Sequence, residues 1–257
     1  MIDWRNKEPG YYAPNGTLIW TWSELKSRRM IVLETFEVNE TPDVWLKTAM
    51  LLEPSGGVLV VDPEIKLIEA KAFNRSLISG IVLNEGLQEL WTMAFCDCRS
   101  LEFVIFPSTL TGIGRSAFRG CVSLKKVEIN SPIAWIEGLT FKYCHSLEEV
   151  HIKSSVLTYI DEEAFAYCNK MHTCTIDAPI EHIGMCAFEH CYALKTYNKL
   201  TTPTFIHGWA FYGCTTINDV IHQKYQSYFE RNGIVDKADQ ERIATCGIDA
   251  VELLMKY

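Results

Sequence analysis

The residues able to do chemistry are thinly spread. The chain has seven histidines and ten cysteines in 257 residues. His182 and His207 are expected on neighbouring turns, with Glu181 close by. Two histidines and a carboxylate are the ligand types of one class of metal site. The competing reading is a pair of solvated histidines, and no metal or cofactor is expected. His151 has Glu128 and Glu149 as neighbours and reads as a surface side chain. Cys96, Cys186 and Cys246 stand apart from the other cysteines and are candidates for exposure. None has a histidine at a defined offset to activate it as a nucleophile. The chain contains no Gly-x-Ser-x-Gly, P-loop, dinucleotide fingerprint or His-Glu-x-x-His. No catalytic residue is assigned, and the chain is not read as an enzyme.

Most of the other cysteines fall into register. Cys98, Cys121, Cys144, Cys168, Cys191 and Cys214 each lie three residues after a phenylalanine, and Phe73 precedes that series. The phenylalanines recur every 22 to 24 residues. One copy of the unit is Ile113, Ala117, Phe118, Cys121, Leu124, Val127, Ile129. The next is Ile136, Phe141, Cys144, Leu147, Val150, Ile152, with Thr140 in place of alanine. A period of this length marks a solenoid. Val127-x-Ile129 has strand spacing, whereas Ile113 to Phe118 and on to Cys121 has the spacing of a helical turn or two. No unit can bury its own stripe, so neighbouring rungs must cover it. The six cysteines should form a column along the stack, where free thiols pack as small apolar groups. Bridges between rungs also fit the spacing.

The unit Ile-x-x-x-Ala-Phe-x-x-Cys-x-x-Leu-x-x-Val-x-Ile resembles the BspA-type leucine-rich repeat over residues 65 to 222. The resemblance implies an α/β fold: a right-handed leucine-rich-repeat solenoid with a parallel β-sheet on one face and short helical or 3-10 turns on the other. It also implies a non-enzymatic protein-binding module, with surface adhesion or host interaction as the family's usual setting. The alternative is an intracellular structural or regulatory scaffold. Residues 1–30, rich in Trp and Tyr, are expected to cap the first rung. The solenoid is expected over 31–222. It opens with a degenerate repeat in which Leu33, Phe36 and Val38 form the strand, Trp45 takes the first Ile position and Met50 replaces Phe. A bulge is expected at Lys199–Leu200 and a helical cap over 223–257.

Alternation along the strands sends every second side chain to solvent. Val58, Val60, Val82, Phe103 and Ile105 then form an apolar patch over the N-terminal rungs, while later rungs are polar. Exposed, such a patch marks a site for a protein partner or for self-association; otherwise residues 1–30 fold over it. The net charge of −8 argues against nucleic acid as the main partner. No apolar run is long enough to insert in a membrane. The first residues, Met1-Ile-Asp-Trp-Arg-Asn-Lys-Glu-Pro9, show no basic stretch leading into an apolar one, so no secretory leader is visible.

Overall fold

The computed structural model describes residues 2–38, 41–49, 55–198, 205–207 and 209–214. From Val58 onward each rung contributes two strands. They are β5 (Val58–Val60) and β6 (Ile65–Ile68), β7 (Gly80–Val82) and β8 (Glu89–Leu90), β9 (Phe103–Ile105) and β10 (Gly112–Ile113), β11 (Lys126–Ile129) and β12 (Trp135–Ile136), β13 (Glu149–Lys153) and β14 (Tyr159–Ile160), β15 (Thr173–Asp177) and β16 (His182–Ile183), and β17 (Thr196–Asn198) and β18 (Phe205–Ile206). The odd-numbered strands pair in parallel as one long sheet. The short even-numbered strands pair in parallel as β6–β8–β10 and β12–β14–β16–β18. The molecule is a parallel-strand solenoid.

Its core is a stack of rings. Phe73, Phe95, Phe118, Phe141, Phe165, Phe188 and Phe211 are all at most 1% exposed. Successive centroids lie 5.0 to 5.5 Å apart, with ring planes within 11° of parallel. Offset stacking adds about 0.5–1.5 kcal/mol per pair to the burial itself. Thr140, which interrupts the alanine column, is buried but donates its hydroxyl to the Glu137 carbonyl at 2.6 Å. The cysteine column is one of free thiols. Each Sγ points at the phenylalanine carbonyl one rung back: Cys98 to Phe73 at 2.9 Å, Cys144 to Phe118 at 3.3 Å, Cys214 to Phe188 at 3.0 Å. A cysteine here fills an apolar slot and gives the carbonyl a second donor. Cys96 and Cys186, candidates for exposure, are also buried.

The expected helical turns between strands are not helices. Two residues per rung, four apart, take the left-handed conformation: Lys71 and Arg75, Met93 and Asp97, Ser116 and Gly120, Leu139 and Tyr143, Glu163 and Tyr167, Cys186 and His190, Trp209 and Gly213. Between them the chain makes an i to i+3 turn, as from Met93 O to Cys96 N at 3.0 Å. The left-handed residue donates across rungs instead, as Met93 N does to Arg115 O at 3.0 Å and Leu139 N to Glu162 O at 3.0 Å. A left-handed non-glycine residue costs about 1–2 kcal/mol, and these inter-rung bonds offset that strain.

The N-terminal region departs most from expectation. A 3-10 turn at Trp4–Asn6 leads to β1 (Gly10–Tyr12), β2 (Leu18–Thr21) and the short helix α1 (Trp22–Ser27). Thr21 caps α1: its hydroxyl accepts from Glu24 N, and the Glu24 carboxylate accepts from Thr21 N. Trp22 and Leu25 plug the open end of the core. Residues 31–49 are not a degenerate rung. β3 (Ile31–Val38) and β4 (Thr41–Ala49) form an antiparallel hairpin, and β4 runs parallel to β6. The two strands of a rung each pair with strands of neighbouring rungs, whereas β3 and β4 are long enough to pair with each other. The Lys199–Leu200 bulge and the 223–257 cap lie outside the described residues.

Candidate protein-binding surface

The five predicted patch residues come together, but under cover. β1 adds to the long sheet antiparallel to β5, so Tyr12 lies beside Val58. Tyr12, Val58, Val60 and Val82 form a buried cluster with Trp4, Phe103 and Ile105 packed against it. The Trp4 ring is 6.0 Å from Tyr12 and 6.1 Å from Phe103. Gly80 makes this seat, and Gly57 makes room for Tyr11 on the core side of the sheet. A Cβ on Gly80 would lie 2.3 Å from the Phe103 ring, and one on Gly57 2.4 Å from the Tyr11 ring. The Tyr11 hydroxyl accepts from Gly57 N at 2.9 Å. Of the two readings of the patch, cover by residues 1–30 is the arrangement found, and the open site is not: Val58, Val60 and Val82 are at most 2% exposed, and Phe103 and Ile105 are half-buried. Leaving three valines in water would forfeit several kcal/mol, and the N-terminal segment takes up that area.

Further along, the same sheet face is polar and open. Lys126, Glu128, Asn130, His151, Lys153, Thr175 and Asp177 line a hollow of about 400 Å³ over β11, β13 and β15. Parallel register sets Glu128, His151 and Thr175 side by side. His151 Nδ1 lies 2.6 Å from Thr175 Oγ1, and its Nε2 lies 3.4 Å from Glu149 Oε2. The neutral tautomer with its proton on Nε2 satisfies both contacts: Thr175 donates to Nδ1, and Nε2–H donates to Glu149. That bond, with the charge of Lys126 also nearby, holds the Glu149 carboxyl below the usual carboxylate range. Lys126 Nζ is 3.5 Å from Glu128 and 3.7 Å from Glu149. The network joins three rungs and fixes side chains that would otherwise be free.

Hydroxyl, imidazole and carboxylate in a row are the groups of a hydrolase triad. β13 and β15 each have a parallel neighbour on both sides, so their N–H groups serve the ladders rather than an oxyanion. The arrangement suits recognition. His182, on β16, lies beside Tyr159, with ring centroids 5.4 Å apart and planes tilted by 32°. Among the described residues no group of three His, Cys, Asp or Glu side chains is placed to hold a metal ion. Cys246 lies outside the described residues. Strand alternation reveals His151 and Thr175 as neighbours on the outer face, but the hydrogen bond between them depends on a register that only paired strands fix.

A parallel solenoid with a stacked phenylalanine core and a polar sheet face defines a leucine-rich-repeat protein. The sequence model of the BspA type leucine rich repeat region matches residues 66–195 in six copies, so the chain belongs to that family. No curated protein matches it. The chain is similar to a leucine-rich repeat protein from Eubacterium ventriosum, at 21% identity and a TM-score of 0.61, covering 70% of this chain and 49% of that one. It is also similar to a leucine rich cell surface protein from Faecalibacterium prausnitzii, at 20% identity and a TM-score of 0.45, covering 64% of this chain and 54% of that one. This chain therefore spans about half the length of each of these structures. No helix among the described residues is long and apolar enough to cross a membrane.

Proposed function

We propose that this is a protein-binding module whose docking surface is the polar hollow over β11, β13 and β15. The observation that carries the reading is the cross-rung network Thr175–His151–Glu149–Lys126–Glu128 beside open space. These side chains are held in place yet reachable, so a partner meets oriented donors and acceptors with little ordering left to do. Lys153 at the rim has no ion pair among the described residues and is open to a partner's carboxylate. Surface adhesion is the finer form of this reading and draws on the family resemblance alone. A second reading, a scaffold inside the cell, draws on the nine described cysteines all being free, because chains in oxidising compartments usually pair theirs.

The test compares immobilised wild type with His151→Ala/Lys153→Glu and, as a control on the other sheet, Trp135→Ala. A partner recovered from cell extract by wild type and Trp135→Ala, and lost by the double variant at unchanged melting temperature, supports the hollow. A partner retained by the double variant rules the hollow out. Protease treatment of intact cells separates surface display, which predicts digestion, from the internal scaffold, which predicts protection.

A further inference from the structure

The five-stranded sheet β10–β8–β6–β4–β3 ends on a long strand. β3 has eight residues and only β4 as a neighbour among the described strands. Its other side carries a row of backbone N–H and C=O groups that meet no strand among the described residues. Natural edges are blunted by brevity, Lys, Pro or a bulge. The β2 edge is four residues long. β3 has no Lys or Pro. The irregularity in its pairing, where Val32 faces Thr48 and Leu33 faces Leu46, puts the extra residue, Lys47, in β4. The charged residues of β3 are the carboxylates Glu34 and Glu37, so any strand added here is selected for basic side chains.

Beside it on the outer face lies an aromatic row rimmed with acid. Glu34 is opposite Trp45 and Phe36 opposite Asp43, so all four share one face. The Phe36 ring is 4.1 Å from Trp45, which is 5.3 Å from Trp91. Phe36 and Trp91 are each more than a third exposed. Carboxylates of Glu34, Asp43 and Glu89 border the row; Glu89 accepts from Trp91 Nε1 at 2.8 Å, and Lys47 pairs with Glu34 at 3.2 Å. On the opposite face Leu33 packs against the core.

We propose that β3 is a docking edge for an extended segment of a protein partner in which basic and apolar side chains alternate. The segment adds a strand to the sheet through its backbone. Its basic side chains lie over Phe36 and between Glu34 and Asp43, where ring faces and carboxylates both attract a cation. Its apolar side chains fall on the other face beside Leu33. A second copy of β3 is a poorer occupant, because it would bring Glu34 of each chain towards the carboxylates of the other, and facing like charges destabilise strand pairs.

The probe is a fluorescein-labelled peptide of alternating Val and Lys, eight residues long like β3, read by anisotropy at low salt. Its controls are the Val/Glu peptide and a Val/Lys peptide N-methylated at alternate residues. The expected result is affinity for Val/Lys at least about tenfold above both controls, which is about 1.4 kcal/mol. Deuterium uptake at residues 31–38 should fall on binding. Glu34→Lys/Asp43→Lys, folded by its melting curve, should reverse the preference between the Lys and Glu peptides. Equal binding of the N-methylated peptide overturns strand addition. An unchanged preference in the double variant overturns the charge argument. Concentration-dependent dimerisation of the wild type through residues 31–38 would assign the edge to a second copy and end the proposal.

Discussion

Alkali should unfold this solenoid through its buried thiols. Cys121, Cys144, Cys168, Cys174 and Cys191 are 0% exposed, and burial pushes each thiol well up from its ordinary range. In the unfolded chain the same thiols ionise near about pH 8.5. Above that pH the unfolded state sheds protons that the folded state keeps. Stability is therefore full below the unfolded value and falls as pH rises towards the folded one. At about pH 9 each thiol accounts for a little under about 1 kcal/mol of lost stability, so the five together account for about 4 kcal/mol. Against a total of about 5–15 kcal/mol, that is a large share, and it lowers the melting temperature by roughly 10 °C.

The assay is urea unfolding followed by circular dichroism, in reductant, from about pH 7 to about pH 9.5, which stays below most tyrosine and lysine titration. The comparison protein is Cys121→Ala/Cys144→Ala/Cys168→Ala. It is expected to be less stable at every pH, but with a clearly smaller pH slope, since three of the seven thiols raised by burial are gone and Cys96, Cys174, Cys186 and Cys191 remain. A wild type whose stability is flat over this range refutes the reasoning. So does a triple variant with an unchanged slope, because the proton release would then come from other groups.

Two further outcomes follow from packing. Phe118→Ala should cost about 3–5 kcal/mol in urea unfolding, since its ring stacks on Phe95 at 5.2 Å and Phe141 at 5.5 Å and meets Phe106 edge-on at 5.6 Å; a loss below about 1 kcal/mol would place it outside the core. Phe103→Ser/Ile105→Ser should lower stability by about 2 kcal/mol or more, because the valine cluster packs against both side chains and the Trp4 ring lies against Phe103; unchanged stability would mean that the N-terminal segment does not hold that face.

The rungs were legible because their signal is repeated. Ala117, Phe118, Cys121, Leu124, Val127 and Ile129 are all buried, as are their counterparts one rung on. Each copy checks the others, and the register of the long sheet follows from the alternation of Val127 and Ile129. Residues 31–49 had no such check. Leu33, Phe36 and Val38 match the strand spacing of a rung, but the same alternation serves a hairpin, and only the pairing of β3 with β4 distinguishes them. The apolar patch was legible as a group of residues. Its cover was less so, because the seat for Trp4 and Phe103 depends on the absence of a side chain at Gly80.

The turns carry the more general lesson. The spacing from Ile113 to Phe118 to Cys121 suits a helix, yet Ser116 and Gly120 have φ of 59° and 74°. Glycine marks one of these two positions in only two rungs, Gly120 and Gly213; elsewhere the left-handed residue is as varied as Leu139, Tyr143 and Glu163. Composition could not announce the conformation, because the conformation is not a local preference. Ser116 N bonds to Gly138 O at 3.0 Å, one rung ahead, where in a helix it would bond within its own turn. A single rung would have no partner for that N–H and no reason to bear the strain. The stack supplies the partner, so the shape of each turn is set by its neighbour. Reading one unit in isolation gives the helix; reading the column gives the ladder.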